Sequence, residues 1–179
     1  HNPEIECMSR EDMRKLQSER LVKIVKTCYE KVPFYRRKMD ELGVKPSDIK
    51  SIDDISKLPF TTKHDLRDEY PFGLQAVPMT DVRRIHASSG TTGKPVVDTY
   101  TDNDIANWSE GVARVLAAGN VGKGDVVQIA YGYGLFTGGL GAHYGVENLG
   151  ATVIPASTGS TEKHIRLIRD LKISGVACT

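Results

Sequence analysis

The chain has 179 residues, 39% of them hydrophobic and 26% charged, and carries a formal net charge of +1 at pH 7. That length can enclose a sizeable core, and the composition is that of an ordinary globular protein. A charge so near neutral gives no general attraction for nucleic acid or a lipid surface, and no apolar run approaches the roughly 20 residues of a membrane span.

The first residues, "HNPEIECMSRED", are polar and acidic, unlike a secretory leader. A long helix is predicted over "SREDMRKLQSERLVKIVKTCYEKV". Ser9 and Asp12 form a capping box, and Met13, Leu16, Leu21, Ile24, Val25, Cys28, Tyr29 and Val32 keep one face apolar. Pro33 stops it. "FYRRKMDELG" predicts a second helix closed by Gly43. The stretch that follows breaks into short helical pieces at Pro46, Pro59 and Pro71, with a helix expected between Thr62 and Tyr70. These pieces read as packing around another body.

Near Asp81 the character changes, which suggests a helical N-terminal region over residues 1–80 and an α/β portion over 81–179. "VRRIHAS" and "VVDTYT" are predicted strands joined by a loop. Thr101 and Asp104 cap a helix whose Ile105, Trp108, Val112, Val115 and Leu116 share a face, ended by Gly119 and Asn120. "DVVQIAY" is a buried strand, and "GYGLFTGGLGAHYGVENLG" a glycine-rich turn running into a helix. "ATVIPAS", "TEKHIRLIRDLK" and "GVACT" then read as strand, helix and strand. Strand–helix alternation from Asp125 predicts a parallel sheet with crossover helices, and ligands in such sheets gather at the carboxyl ends of strands. The loop after Ile85–Ala87 and the turn after Ile129–Tyr131 are both such ends. Because Thr179 follows a fresh apolar strand, the chain is read as a fragment or one half of a larger unit.

Cys7, Cys28 and Cys178 lie far apart and form no C-x-x-C pair, which predicts free thiols in a reducing cytoplasm. The five histidines are scattered, none beside a second ligand at metal spacing, so no metal site is expected.

The loop "HASSGTTGKP" carries the chemistry. Glycine lets successive N–H groups turn inward as an anion-binding nest. Ser88, Ser89, Thr91 and Thr92 add hydroxyl donors, and Lys94 adds a mobile positive charge, an inventory suited to a polyphosphate. A plain hairpin turn is the competing reading, but hairpin loops usually have about 2–5 residues and this one is longer and richer in donors. It is not a Walker A loop. Ser88 stands where the first glycine belongs, and Pro95 replaces the hydroxyl that would hold magnesium. "GYGLFTGG" fails the dinucleotide fingerprint likewise, with Thr137 at the third glycine. The aromatics Tyr131, just before this stretch, and Tyr133 and Phe136 within it, beside Gly138 and Gly139, suit an aryl ligand or equally a core.

"SSGTTGKP" in a hairpin loop resembles the phosphate-binding motif of adenylate-forming enzymes, which include acyl-CoA synthetases, luciferases and peptide-synthetase adenylation domains. With "IECMSRE", "VPFYRRK", "LPFTTKHDLRDEYPFGL", "YGYGLFTGGLGAHYG" and "GATVIP", the chain is most similar to the N-terminal portion of the phenylacetate–coenzyme A ligase family. The resemblance implies an α/β fold of N-terminal helices, a glycine-rich hairpin loop and a parallel βαβ sheet, forming part of that family's large domain. It implies ATP-dependent ligation of an arylacetic acid to coenzyme A through an acyl-adenylate, giving AMP and pyrophosphate. Ser88, Ser89, Gly90, Thr91, Thr92, Gly93 and Lys94 would grip the ATP phosphates. Tyr131, Tyr133, Phe136, Gly138 and Gly139 would line the aryl pocket, Phe136 foremost. His143, about two turns into the helix, is within reach of the cleft, but a packed core histidine is the favoured reading.

The resemblance also places the adenine and ribose contacts, the Mg2+ carboxylate and a mobile C-terminal lysine domain outside this stretch. No catalytic residue is therefore assigned here, and the chain alone is expected to be inactive. A cytoplasmic enzyme and a homodimer are further implications. Asp98 and Thr99 depart from the family's small or apolar residues; on an alternating strand Asp98 either faces water or, if it faces the cleft, bears on substrate preference. Two other readings stand beside the ligase, a non-catalytic nucleotide-binding module and a divergent P-loop nucleotidase, and within the family an indoleacetate-type ligase is the alternative.

Overall fold

A computed structural model describes residues 2–90 and 93–178. In chain order the helices are α1 (Pro3–Glu6), α2 (Arg10–Lys31), α3 (Pro33–Glu41), α4 (Lys63–Asp68), α5 (Asp102–Ala118), α6 (Gly138–Asn148) and α7 (Thr161–Asp170). The strands are β1 (Arg84–Ala87), β2 (Val97–Tyr100), β3 (Val126–Ile129), β4 (Thr152–Ile154) and β5 (Gly175–Ala177). The chain divides into two compact units, one formed by residues 3–82 and 90–99, the other by residues 1–2, 83–89 and 100–179.

In the helical unit, the Ser9 hydroxyl accepts from the Asp12 N–H to start α2, and Val32 ends it ahead of Pro33. The apolar stripe of α2 buries Val25, which joins Met39 of α3 and Ile49, with Leu21, Tyr29, Val44 and Leu58 packed around them. The short pieces after Pro46 thus close a core of their own. Pro46–Asp48 and Ile52–Lys57 wind as tight 3-10 turns. Ile24, expected on the apolar stripe, is exposed and is not among the residues packed on the Val25–Met39–Ile49 cluster. The amino end of α4 is a reciprocal capping box between Thr62 and Asp65.

The α/β unit is built on a parallel sheet of order β4-β3-β5. Val127 faces Val153 of β4 and Gly175 of β5, which sets both registers. Central β3 contributes Val127 and Ile129 to a core completed by Val146 of α6 and Ala151. Successive residues Val127, Gln128 and Ile129 of β3 are all buried, because both faces of the strand are covered. Gln128, fully buried in the same strand, hydrogen-bonds His164 of α7 at 2.8 Å.

Helix α5 starts at the Thr101–Asp104 capping box and packs tightly on α6. A Cβ on Gly141 would stand 2.6 Å from the Trp108 ring, and one on Gly145 would stand 2.4 Å from Val112 Cγ1. Glycines one turn apart therefore let the two helices approach as close as backbone allows. Strands β1 and β2 pair as an antiparallel hairpin, which the Arg83 N–H closes at its base by donating to the Tyr100 carbonyl at 2.8 Å. The observed α/β architecture, helices then hairpin then parallel sheet, is the one the sequence predicts.

Candidate functional site

Strand β1 ends in His86 and Ala87, both buried, and delivers Ser88, half-buried, and Ser89, exposed, at its carboxyl end. Beyond Ser89 the chain turns. Gly90 has φ +65° and Gly93 φ +131°, both in the left-handed region that side chains resist. The Gly93 N–H donates to the Gly90 carbonyl at 3.0 Å, and a Cβ on Gly90 would come within 3.1 Å of the Gly93 carbonyl. Thr91 and Thr92, two of the expected phosphate donors, lie outside the described residues. Lys94 is exposed, its ammonium 5.6 Å from the centre of the Tyr70 ring. Ser88 and Ser89 belong to the α/β unit, while Gly90, Gly93 and Lys94 belong to the helical unit.

The turn after β3 sorts its aromatics. Tyr131 and Tyr133 pack against the Val127–Ile129–Val146–Ala151 core. The Tyr133 hydroxyl lies 3.2 Å from His143 Nδ1, and burial, followed by the nearby Glu147 charge, pushes its phenol pKa up. His143 Nε2 sits 3.3 Å from the Glu147 carboxylate, so this histidine is held by Tyr133 on one side and Glu147 on the other. Phe136 is different, with 67% of its surface open to solvent.

The glycines differ too. At Gly138 a Cβ would meet nothing within 4 Å, whereas at Gly139 it would lie 2.7 Å from the Gly132 carbonyl. Gly139 thus serves a close backbone approach, and of the pair Gly138 is the one beside open space. Asp98, the departure noted above, is exposed and borders a recess of about 150 Å³ with Glu69, Pro71, Phe72 and Gln75.

The two strand ends brought together in the α/β unit are the close of β1 and the turn after β3 that bears Phe136. The Leu135 carbonyl accepts from the Ala87 N–H at 3.0 Å and from His86 Nδ1–H at 2.9 Å. His86 has no role predicted from the sequence, although it lies inside the loop motif; its place directly before Ala87 and Ser88 was the available signal. Among the described residues, no group of three or more His, Cys, Asp or Glu is arranged to hold a metal ion, and no helix is long and apolar enough to cross a membrane. Cys7, Cys28 and Cys178 are free thiols.

No family model matches the chain. A phenylacetate–coenzyme A ligase of Thermus thermophilus is 54% identical over 179 residues, covering 100% of this chain and 40% of that protein. The phenylacetate–coenzyme A ligases of Aromatoleum evansii and Escherichia coli are each 58% identical over 168 residues, 94% of this chain and 38% of theirs. The chain therefore spans about 40% of the length of the curated relatives it matches.

Among solved structures, a 2-hydroxyisobutyryl-CoA ligase in an open conformation with 2-HIB-AMP and CoA superposes with a TM-score of 0.84 at 29% identity, covering 96% of this chain and 38% of that one. The same ligase in its thioesterification state gives 0.81 at 32% identity, over 92% of this chain and 36% of that one. Identity sustained from end to end, on a shared fold, makes this chain homologous over its length to part of a phenylacetate–coenzyme A ligase.

Proposed function

We propose that this chain forms part of an enzyme that joins phenylacetate, or a close arylacetic relative, to coenzyme A at the expense of ATP. In the first step a carboxylate oxygen of the acid attacks the α-phosphorus. A new P–O bond forms, the bond to the β-phosphate bridging oxygen breaks, and pyrophosphate leaves with the electron pair. In the second step the coenzyme A thiolate attacks the acyl carbon, and AMP leaves with the acyl C–O electrons. Ser88, Ser89, Gly90, Thr91, Thr92, Gly93 and Lys94 hold the β- and γ-phosphates during the first step. Donors fixed before the reaction stabilise charge as it shifts onto the leaving pyrophosphate.

Phe136 contacts the aryl ring beside the open space at Gly138, with Tyr131, Tyr133 and Gly139 forming the wall behind it. The carboxylate that holds Mg2+ is taken, on the resemblance, to lie elsewhere in the full enzyme, and no step is assigned to it here. A homodimer in the cytoplasm completes the proposal.

One observation carries this reading. The serine-bearing end of β1 and the turn that exposes Phe136 are tied together in one unit, in a chain 54–58% identical to phenylacetate–coenzyme A ligases. The test is a full-length ligase carrying this sequence, supplied with phenylacetate, ATP, Mg2+ and coenzyme A. Phenylacetyl-CoA, AMP and pyrophosphate should appear in equal amounts. Release of ADP and inorganic phosphate, or turnover indifferent to arylacetic acids, would overturn the assignment.

A further inference from the structure

His86 is only 2% exposed, which is unusual for a residue beside a loop of donors. Its surroundings leave it little freedom. The ring stands edge-on to Tyr100, with centroids 5.4 Å apart at 89°, and to Trp108, 5.5 Å apart at 88°. Tyr100 and Trp108 are themselves stacked at 5.4 Å. Trp108 is in turn backed by Gly141 of α6. A carbonyl can only accept a hydrogen bond, so the 2.9 Å contact to Leu135 fixes the proton on Nδ1. Nε2 is buried with no hydrogen-bond partner among the described residues, so the one polar contact that orients this ring is the one to Leu135.

That carbonyl is in a place where side-chain packing supplies little hold. Leu135 is 59% exposed and Phe136 67% exposed. The turn also contains Gly132 and Gly134, which give its backbone wide conformational freedom. Adjacent residues of β1, His86 and Ala87, hold the same oxygen, and the next residues along are Ser88 and Ser89.

We propose that His86 is a positioning residue. It fixes the turn carrying Phe136 to the base of the Ser88–Ser89 segment, and so sets the distance between the acid and the phosphate chain. This rests on the ligase reading above. His86 touches neither substrate; it acts through the Leu135 carbonyl. Its effect falls on adenylation alone, because that is the step in which two separately held reactants must meet. Reacting atoms must come within about 3–3.5 Å, and a displacement of about 1 Å can cost about 100-fold in rate. In the thioester-forming step the aryl group and the phosphorus are already joined in one molecule, so their spacing no longer depends on the protein.

The experiment compares His86→Leu, His86→Asn and His86→Gln in a full-length ligase carrying this sequence. The amide N–H of Asn reaches the position of Nδ1, whereas that of Gln reaches toward Nε2. Two half-reactions are measured: phenylacetate-dependent ATP–pyrophosphate exchange, and thioester formation from supplied phenylacetyl-adenylate and coenzyme A. His86→Leu and His86→Gln should lower the maximal exchange rate roughly 10- to 100-fold, with both substrate KM values changed by less than about 3-fold and thioester formation within about 2-fold of the parent. His86→Asn should restore most of the exchange rate.

Equal loss in both half-reactions, or exchange unchanged in His86→Leu, would overturn the positioning role. If His86→Leu does not fold, the contrast between Asn and Gln decides, and equal exchange rates in those two variants would overturn the proposal. A parent enzyme with no exchange on any arylacetic acid would instead sink the ligase reading, so the two failures are distinguishable.

Discussion

Phe136 shows what a single residue discloses in sequence and what it does not. Tyr131, Tyr133 and Phe136 arrive in one glycine-rich run, and each has the same claim to line a pocket or fill a core. The structure separates them. The tyrosines rest on Val127, Ile129 and Val146, while Phe136 projects from the turn. Nothing local to the run could have made that division, because it depends on where α6 lays Val146 against β3. Burying an aromatic ring against a ligand contributes roughly 1.5–3 kcal/mol. Phe136→Ala in a full-length ligase should therefore raise the KM for phenylacetate about 10- to 100-fold and leave the KM for ATP within about 2-fold. Steady-state kinetics with each substrate varied in turn will show it, and an equal rise in both constants would remove Phe136 from the aryl site. Gly139 carries the same lesson in reverse. Its missing side chain reads as room for a ring, yet the space is filled by the Gly132 carbonyl.

Helix ends were the most legible elements, because capping chemistry is local. Ser9 with Asp12, Thr62 ahead of α4, and Thr101 with Asp104 each stand where the chain indicates. The 3-10 winding of Ile52–Lys57 and the exposure of Ile24 were not legible, since both are settled by neighbours distant in sequence. Capping also makes α4 sensitive to pH. The Lys38 ammonium, 2.8 Å away, and then the Thr62 N–H and hydroxyl hold the Asp65 carboxyl down to about 2, below the unfolded value of about 4.

A carboxylate depressed in this way contributes its full stabilisation above pH ~4. The contribution fades as pH falls from about 4 to about 2, where the unfolded chain binds the proton first. Asp54, also brought down to about 2, first by Lys57 and then by the Lys50 and Ser51 N–H groups, titrates in the same window. Asp65→Asn should thus be less stable than the parent at pH 6 and should lose less on acidification from 4 to 2. Thermal melts followed by circular dichroism across that range provide the check. A variant whose pH slope matches the parent would show that the Lys38–Asp65 pair contributes nothing measurable to the fold.

At the scale of the molecule, the question is how much of a reaction 40% of a ligase can perform. The element order and the parallel sheet were legible because alternation of strand and helix leaves few topologies. The grouping into units was less so, since residues 83–89 and 90–99 share a hairpin yet fall on different sides of the division. Adenylation makes three demands on a protein: a grip on the phosphates, a seat for the acid, and a counter-charge and nucleoside grip for the part of ATP under attack. This chain supplies candidates for the first two. For the third, the described residues bring no metal-binding carboxylate cluster, and the relatives devote more than half of their length to segments this chain does not match. Losing even one positioned donor of a transition-state grip costs about 2.7–4 kcal/mol, or about 100- to 1,000-fold in rate, and the resemblance assigns this whole class of contacts to those other segments. The 179-residue chain, purified and shown by circular dichroism to be folded, should therefore give no phenylacetate-dependent ATP–pyrophosphate exchange above the background of a buffer control. A full-length ligase carrying the same sequence should exchange readily under identical conditions. Exchange by the short chain alone, abolished by Phe136→Ala, would mean that its own residues complete the adenylation site, and the division of labour argued here would be wrong.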